Sequence, residues 1–238
     1  MKFKAIIFDL DGVICYTDEY HYLAWQAVAD SIGAPFDRTV NNRLRGVSRM
    51  ESLDIILEKY SGTLSQAEKG ALAEQKNELY KQYLRQMSPA DLSEEVSTTL
   101  NLLDELGLKL AIGSSSKNAP FILQQIGLGG YFDAVSDGNN ITRSKPDPEV
   151  FIKAAQMLCL APRNCLVVED AVAGAQAGHA GGFQVACLGD ASNAKAGDYN
   201  LAAFSELLDV VGEKERIHYG AQRRVFTNGA SASAGTET

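Results

Sequence analysis

The amino-acid sequence predicts an α/β protein with a parallel-sheet core domain and a small helical-bundle domain inserted into it. Short apolar runs that end in polar loops recur along the chain, and helical patterns lie between most of them. That alternation is typical of a parallel sheet covered by helices on both faces. The first two runs are separated by about 95 residues without a strand-like run, whereas a simple crossover connection needs about a dozen. This long interval favours an inserted domain.

The predicted strands lie in five apolar runs, beginning with KAIIFDLDG. These runs occupy residues 4–12, 109–117, 132–138, 165–171 and 183–189. Ligands of parallel sheets bind beyond the carboxyl ends of the strands. The polar residues that follow each run are therefore the first candidates for a functional site.

The inserted segment is predicted to be a bundle because apolar residues recur in it at helical spacing among charged ones. The three helical patterns occupy residues 17–33, 48–62 and 67–87. A bundle placed above the edge of a sheet can close as a lid.

These patterns divide the chain into three parts. We assign residues 1–15 and 88–212 to the catalytic core and 16–87 to the helical cap, with hinges near Cys15–Thr17 and Met87–Pro89. The remaining segment, 213–238, is a C-terminal extension. Its last part is small and polar with little to bury, so we expect it to be disordered.

Composition excludes several classes of protein. The formal net charge of -8 argues against a general nucleic-acid or anionic-membrane surface, because such surfaces carry an excess of Lys and Arg. An anionic ligand must therefore meet a local cluster of positive charge. We find no signal peptide or transmembrane segment, since Asp9 interrupts the first apolar run.

Cysteine usage favours a reducing compartment. The four cysteines show no CxxC spacing and are too few for a disulfide framework: Cys15, Cys159, Cys165 and Cys187. We expect reduced thiols in a cytoplasmic, monomeric protein.

Polar side chains from four strand ends are expected to meet at one edge of the sheet. They are Asp9 with Asp11, Ser114, Lys145, and Glu169 with Asp170. Several carboxylates in a small space need a counter-charge, and Mg²⁺ is suited to oxygen ligands of this kind. The cation would in turn attract phosphate.

Asp9 and Asp11 can take different tasks although they lie two residues apart. One carboxylate can contact the cation and attack as a nucleophile, while the other moves protons. Ser114 can donate to phosphate oxygens, and Lys145 can neutralise charge that develops during phosphoryl transfer.

Each of these residues also has a simpler interpretation. Asp9 and Asp11 could be turn residues, and Glu169 with Asp170 could cap the following helix. Lys145 could be a solvated loop residue and Ser114 a turn residue. The charged cap residues could be solvated, and Trp25 could belong to the core of the cap.

The motifs resemble those of a known superfamily. FDLDGV, the serine after KLAIG, the lysine of SKPDP and the acidic pair of VVEDA resemble the four motifs of the haloacid dehalogenase superfamily, in order. The helical insertion after the first motif resembles its helical-cap subclass, which implies a Rossmann-like core. Over most of residues 1–190, DGVICYTDEYHYLAW, LRGVSRMESL and SSSKNAPFIL resemble the β-phosphoglucomutase family.

This resemblance implies an isomerase that converts β-glucose 1-phosphate to glucose 6-phosphate through enzyme-bound β-glucose 1,6-bisphosphate, with Mg²⁺ as cofactor. Asp9 would be the nucleophile that becomes an aspartyl phosphate. Asp11 would be the general acid/base and would lend its backbone carbonyl to Mg²⁺. Glu169 and Asp170 would complete the metal site.

The resemblance also implies the residues that hold the sugar phosphate. Ser114 and Lys145 would hold the transferring phosphate, while Thr17 and His21 would position Asp11 on closure and Lys76 would contact the sugar. The implied substrate-binding set is Trp25, Arg45, Gly46, Val47, Ser48, Arg49, Lys76, Ser115, Ser116, Lys117 and Asn118. Within that set, the sugar's other phosphate would be held by Arg49, Ser116, Lys117 and Asn118.

The sequence departs from the family pattern at several positions. Arg45 stands where the family usually has lysine, the hinge reads CYTDE, and Ala171 follows the acidic pair where serine is common. Two other functions remain open: a Mg²⁺-dependent sugar-phosphate phosphatase with the same nucleophile, and a non-catalytic sugar-phosphate sensor on the same fold.

Overall fold

The structure is a computed structural model that describes residues 2–212. The proposed C-terminal extension, 213–238, and its expected disorder lie outside the described residues. The described strands are Ala5–Phe8 (β1), Lys109–Gly113 (β2), Ala134–Ser136 (β3), Cys165–Glu169 (β4), Gln184–Cys187 (β5) and Tyr199–Asn200 (β6). They form one sheet in the order β3-β2-β1-β4-β5-β6, and every pair is parallel.

The helices fall into two groups. Four lie between β1 and β2: Asp18–Ile32 (α1), Arg38–Asn42 (α2), Arg49–Leu57 (α3) and Gln66–Leu84 (α4). The others accompany the sheet: Glu94–Glu105 (α5), Ala119–Gln125 (α6), Glu149–Met157 (α7), Val172–Ala180 (α8), Gly189–Asn193 (α9) and Leu207–Val210 (α10). We call the segment from α1 to α4 the cap and the rest of the described chain the core.

β1 lies inside the sheet and is fully buried because its residues are apolar on both faces. Successive side chains of a strand point to opposite faces. Ile6 and Phe8 accordingly pack into one apolar cluster, whereas Ala5 and Ile7 pack into the other. Both faces are thus covered, and the polar residues that begin at Asp9 emerge at the carboxyl edge.

The cap has a small apolar cluster of its own. Trp25 and Val28 of α1 pack with Leu53 and Ile56 of α3 and Ala73 of α4. Serine side chains begin two of these helices, since Ser48 and Ser65 each form a capping box. The cap is therefore a packed helical unit, and the predicted fold class is confirmed.

Two shorter findings complete the description. Among residues 2–212, no helix is long and apolar enough to span a bilayer. All four cysteines are free, and three of them are buried.

Candidate active site

A cavity of about 470 Å³ lies between the cap and the carboxyl edge of the sheet. Almost every residue that the sequence analysis singled out lines it. The exceptions are Thr17 and Lys145, which are each 1% exposed and contact a carboxylate of the lining. The cavity has an acidic end on the core, formed by Asp9, Asp11, Glu169 and Asp170, and a basic end, formed by Arg49, Lys76 and Lys117.

Three carboxylates of the acidic end form a cluster suited to a cation. Each of Asp9, Glu169 and Asp170 offers an oxygen, and the three oxygens lie within 4.8 Å of one another. All three residues are buried. Because hard divalent cations bind carboxylate oxygens, this donor set fits Mg²⁺.

Two glycines make room for these carboxylates. Gly12 has a φ of 86°, and a Cβ there would overlap the Asp170 carboxylate. A Cβ on Gly174 would overlap the Glu169 carboxylate. Both positions therefore require glycine for steric reasons, and at Gly12 the left-handed backbone adds a second reason.

Lys145 supplies the counter-charge of the acidic end. Its Nζ donates to Asp9 Oδ1 and, at 2.5 Å, to Glu169 Oε1. Burial opposes its charged form, but Asp9 and Glu169 outweigh burial and raise the pKa of Lys145. Because Lys145 is 1% exposed, the solvated-loop interpretation of this residue is wrong.

Burial also changes the acidity of the carboxyl groups. It raises the pKa of Asp9 to about 7, against the opposing effect of Lys145. It raises the pKa of Asp170 to about 8, with a further contribution from the charge of Glu169. A cation at this cluster would favour the ionised forms.

Glu169 also contributes to local structure. Its Oε2 accepts hydrogen bonds from the backbone N–H groups of Asp170 and Ala171, both at 3.0 Å, just before α8 begins. The capping interpretation and the metal interpretation are therefore compatible, because the other oxygen of Glu169 faces Lys145.

Asp11 is held apart from this cluster. Thr17 donates to it twice at 2.7 Å, from its backbone N–H to Oδ1 and from its hydroxyl to Oδ2. The Thr17 hydroxyl also lies 2.8 Å from Tyr80 Oη of α4. Burial raises the pKa of Asp11 to about 6, with a further rise from Asp18, so this carboxyl group can exchange a proton near neutral pH.

His21 lies between Lys76 of the basic end and Asp11 of the acidic end. Lys76 Nζ is 2.8 Å from His21 Nδ1, and His21 Nε2 lies 3.8 Å from Asp11 Oδ2. Lys76 is 3% exposed and lies over the rings of Trp25 and Tyr80. The solvated interpretation of Lys76 is therefore wrong, and Trp25 both packs in the cap core and lines the cavity.

The basic end combines side chains of cap and core. Arg49, the first residue of α3, donates from Nη2 to Asn77 Oδ1 at 2.7 Å. Asn118, just before α6, donates from Nδ2 to the same oxygen at 3.1 Å. Burial lowers the pKa of Lys76, and the nearby charge of Arg49 lowers it further. Positive charge is thus concentrated here in a protein whose formal net charge is -8.

The loop after β2 presents hydroxyl and amide groups to the cavity. Ser114 Oγ accepts the backbone N–H of Ser116 at 3.2 Å, and Ser116 Oγ accepts that of Asn118 at 3.1 Å. Within residues 2–212, Ser115 Oγ is the one buried side-chain polar atom without a hydrogen-bond partner. Gly138 holds this loop in place, since a Cβ there would lie 2.5 Å from the Ser115 carbonyl oxygen.

Arg45 spans the boundary between cap and core. Its Nη2 lies 2.8 Å from Asp18 of the cap and 2.7 Å from Asp170 of the core, and its Nη1 lies 2.9 Å from Asp190 of the core. The neighbouring cap residues Gly46, Val47 and Ser48 line the cavity. The arginine that departs from the family lysine therefore makes a direct contact between cap and core.

The sequence analysis missed several contact residues, among them Asp18, Asn77, Tyr80 and Asp190. Asn77 and Tyr80 lie on α4 with Lys76, at spacings of one and four residues. Helical spacing from Lys76 could have suggested Tyr80, because residues four apart share a face. Nothing in the sequence singles out Asp190, which lies about 145 positions from its partner Arg45.

Comparisons with known proteins agree with the motifs. A family model described as haloacid dehalogenase-like hydrolase matches residues 3–182. The chain is 43% identical over 180 residues to "Beta-phosphoglucomutase" of Bacillus subtilis, which covers 73% of this chain and 78% of the relative. It is 32% identical over 183 residues to a fructose-1-phosphate phosphatase of Escherichia coli, covering 76% of this chain and 94% of the relative.

The structure has a similar solved neighbour. It matches the crystal structure of beta-phosphoglucomutase from Clostridium difficile with a TM-score of 0.82 and 34% sequence identity. The match covers 94% of this chain and 99% of that chain.

Proposed function

Because the chain belongs to the haloacid dehalogenase-like hydrolase family, we propose that it is a phosphoryl-transfer isomerase that converts β-D-glucose 1-phosphate to D-glucose 6-phosphate. The reaction passes through an aspartyl phosphate on Asp9 and through β-glucose 1,6-bisphosphate. The family implies a divalent metal, and the cluster of Asp9, Glu169 and Asp170 suits Mg²⁺. The B. subtilis and C. difficile relatives carry the corresponding name.

The observation that carries this proposal is that one cavity has an acidic and a basic end built for different tasks. Ser114 and Lys145 lie with the nucleophile at the acidic end, and Arg49 and Asn118 meet at the basic end. A bisphosphate must bind in two orientations, so an isomerase needs a second phosphate site. Arginine suits that site because its planar fork can hold phosphate through two hydrogen bonds.

In the first half-reaction the phosphoryl group leaves Asp9. The 6-hydroxyl of β-glucose 1-phosphate attacks the phosphorus of the aspartyl phosphate, and the bond between phosphorus and the Asp9 oxygen breaks. Asp11 accepts the hydroxyl proton, which suits a carboxyl group whose pKa is about 6. The products are the bisphosphate, the Asp9 carboxylate and protonated Asp11.

In the second half-reaction the bisphosphate presents its 1-phosphate to Asp9. Asp9 attacks that phosphorus while Asp11 returns its proton to the departing O1, which releases glucose 6-phosphate and restores the aspartyl phosphate. Bound Mg²⁺ would neutralise charge on the transferring phosphoryl oxygens. Thr17 donates to Asp11, and its hydroxyl also contacts Tyr80, so Thr17 restricts the orientation of the Asp11 carboxylate.

A phosphatase is the second candidate, since the E. coli relative is a fructose-1-phosphate phosphatase. The acidic end alone would suffice for hydrolysis of a sugar phosphate. The two functions differ in whether water or a sugar hydroxyl attacks the aspartyl phosphate. The basic end and the cap contact at Arg45 favour the isomerase, because they anchor a bisphosphate and keep water out.

Two substitutions test the assigned chemistry. Asp9→Ala should abolish Mg²⁺-dependent conversion of β-glucose 1-phosphate, because the nucleophile is lost.

Asp11→Asn should reduce isomerisation by roughly 10²- to 10⁴-fold while the melting temperature stays near that of the wild type. The matched control is Asp54→Asn, which alters an exposed ion pair of the cap. Near-normal turnover in Asp9→Ala would contradict the nucleophile role of Asp9, and near-normal turnover in Asp11→Asn would contradict the acid/base role of Asp11.

A further inference from the structure

Asn77 has no part in the roles assigned above, yet its side chain contacts two residues that line the cavity, Arg49 and Asn118. It lies on α4 of the cap and is 6% exposed. Its Oδ1 accepts from Arg49 Nη2 at 2.7 Å and from Asn118 Nδ2 at 3.1 Å. Its Nδ2 donates to Glu74 Oε1 at 3.2 Å.

These contacts bring one donor from the cap and one donor from the core to the same atom, Asn77 Oδ1. An amide oxygen has two lone pairs, and here both are used. One accepts from Arg49 of the cap, and the other accepts from Asn118 of the core. The bond to Asn118 is a buried hydrogen bond between cap and core, so it exists only while the cap rests on the core.

The other contact of Arg49 is weaker. Its Nη1 lies 3.4 Å from Glu74, whose side chain is 62% exposed. Exposed ion pairs with such separations restrict a side chain poorly. The hydrogen bond to Asn77 is therefore the shorter and less exposed of the two contacts, and it restricts the guanidinium of Arg49 more strongly.

We propose that Asn77 is a positioning residue that aligns Arg49 with Asn118, so that the site for the non-reacting phosphate is assembled only when the cap closes. This inference rests on the proposed function, because it assumes a substrate with a phosphate at the basic end. Asn77 itself need not touch the substrate. It holds one donor from each domain at a common point.

The consequence is a coupling between closure and binding. A phosphate that contacts both donors favours the closed arrangement, and the closed arrangement presents both donors to the phosphate. Without Asn77, Arg49 regains rotamer freedom and the amide of Asn118 loses its buried partner. Binding of an anion at the basic end should then weaken while the acidic end stays intact.

Asn77→Ala tests this prediction with two substrates. With β-glucose 1-phosphate, kcat/KM should fall by about tenfold or more, mainly through a higher KM, as expected for loss of a hydrogen bond to a charged group. Hydrolysis of acetyl phosphate, which carries no second phosphate, should stay within about twofold of wild type. A merely structural defect would reduce both activities together.

Two further variants keep the test decisive. Gln75→Ala, on the exposed side of the same helix, is the matched control and should leave both activities unchanged. Asn77→Leu keeps a similar size but removes the acceptor oxygen, so it should also weaken use of β-glucose 1-phosphate if Asn77→Ala fails to fold.

The outcomes separate the two proposals. Wild-type isomerisation together with unaffected Asn77→Ala and Asn77→Leu variants overturns the positioning role alone, as does an equal loss with both substrates. A wild-type protein that releases phosphate but never forms glucose 6-phosphate overturns the proposed function, and the positioning role with it.

Discussion

At the scale of single residues, Asp9 and Asp11 lie two positions apart but meet different surroundings. Asp9 faces Lys145 and the carboxylates of β4, whereas Asp11 is held by two hydrogen bonds from Thr17. Both residues follow Phe8, the last residue of β1, at the carboxyl edge of the sheet. Their different partners then separate a nucleophile from a proton carrier.

The sequence was least informative about individual residues that form contacts between cap and core. The motif residues were predictable because their spacing after apolar runs is local. Asn77 and Asp190 were not, because each has a partner in the other domain. Which face of α4 would meet the core depends on how cap and core pack, and no local pattern encodes that packing.

Arg45 yields a prediction at this scale. Its two terminal nitrogens contact Asp18, Asp170 and Asp190 together, which the single ammonium of lysine cannot reproduce. Arg45→Lys should therefore loosen the cap and raise the ratio of free phosphate to glucose 6-phosphate by several-fold. Both products would be measured in one sample, with Arg38→Lys as the control, because Arg38 pairs with Glu19 inside the cap. An unchanged ratio in Arg45→Lys would show that this contact does not protect the aspartyl phosphate.

At the scale of elements, the apolar runs predicted most strands, but the sequence patterns predicted neither β6 nor α2. β6 has only two residues, Tyr199 and Asn200, and α2 has no buried residue. Periodicity depends on burial, so elements that bury little leave little pattern. β6 exists because β5 offers it an edge for pairing, which is a tertiary cause.

Two helical glycines give a matched prediction about elements. Replacing an exposed helical glycine with alanine normally stabilises a helix by up to about 1 kcal/mol, and Gly70→Ala in α4 should do so because nothing lies near its added Cβ. In α8, Gly174→Ala should instead destabilise the protein and weaken Mg²⁺ binding, because the new Cβ would overlap the Glu169 carboxylate. Thermal unfolding with and without Mg²⁺ would compare the two variants. Equal changes in thermal unfolding in the two variants would contradict the conclusion that Gly174 leaves room for the Glu169 side chain.

At the scale of the whole molecule, the proposed function requires a protein with a formal net charge of -8 to bind an anion. In the structure, the carboxylates and the cations of the cavity lie at different ends. Three carboxylates meet Lys145 at the core, and the cations Arg49 and Lys76 lie across the cavity on the cap. The packing of the cap on the core brings the two ends into one cavity, which explains why the fold class was predictable from the sequence while the assembled site was not.

The stability of the whole molecule should depend jointly on pH and Mg²⁺. Burial raises the pKa of Asp9 to about 7 and that of Asp170 to about 8, both above the unfolded values. Their contribution to stability is thus fully present below the unfolded value of 3.8 and is lost as pH rises from there through about 7 to 8, where the buried carboxylates become charged. Mg²⁺ binds the charged forms, so its stabilising effect should grow over the same window.

Thermal unfolding measures this dependence directly. The rise in melting temperature on adding Mg²⁺ should be clearly larger at about pH 8 than at about pH 5.5. Asp170→Asn should remove most of that difference, since one ligand is lost. A Mg²⁺ effect of equal size at both pH values would contradict metal binding by these carboxylates.

The most direct test of the proposed function follows two products at once. The purified protein is incubated with β-glucose 1-phosphate, Mg²⁺ and a trace of β-glucose 1,6-bisphosphate, and glucose 6-phosphate and free phosphate are measured in the same sample. An isomerase whose cap excludes water should form glucose 6-phosphate well ahead of phosphate. Release of phosphate without glucose 6-phosphate would contradict the isomerase and make the protein a sugar-phosphate phosphatase.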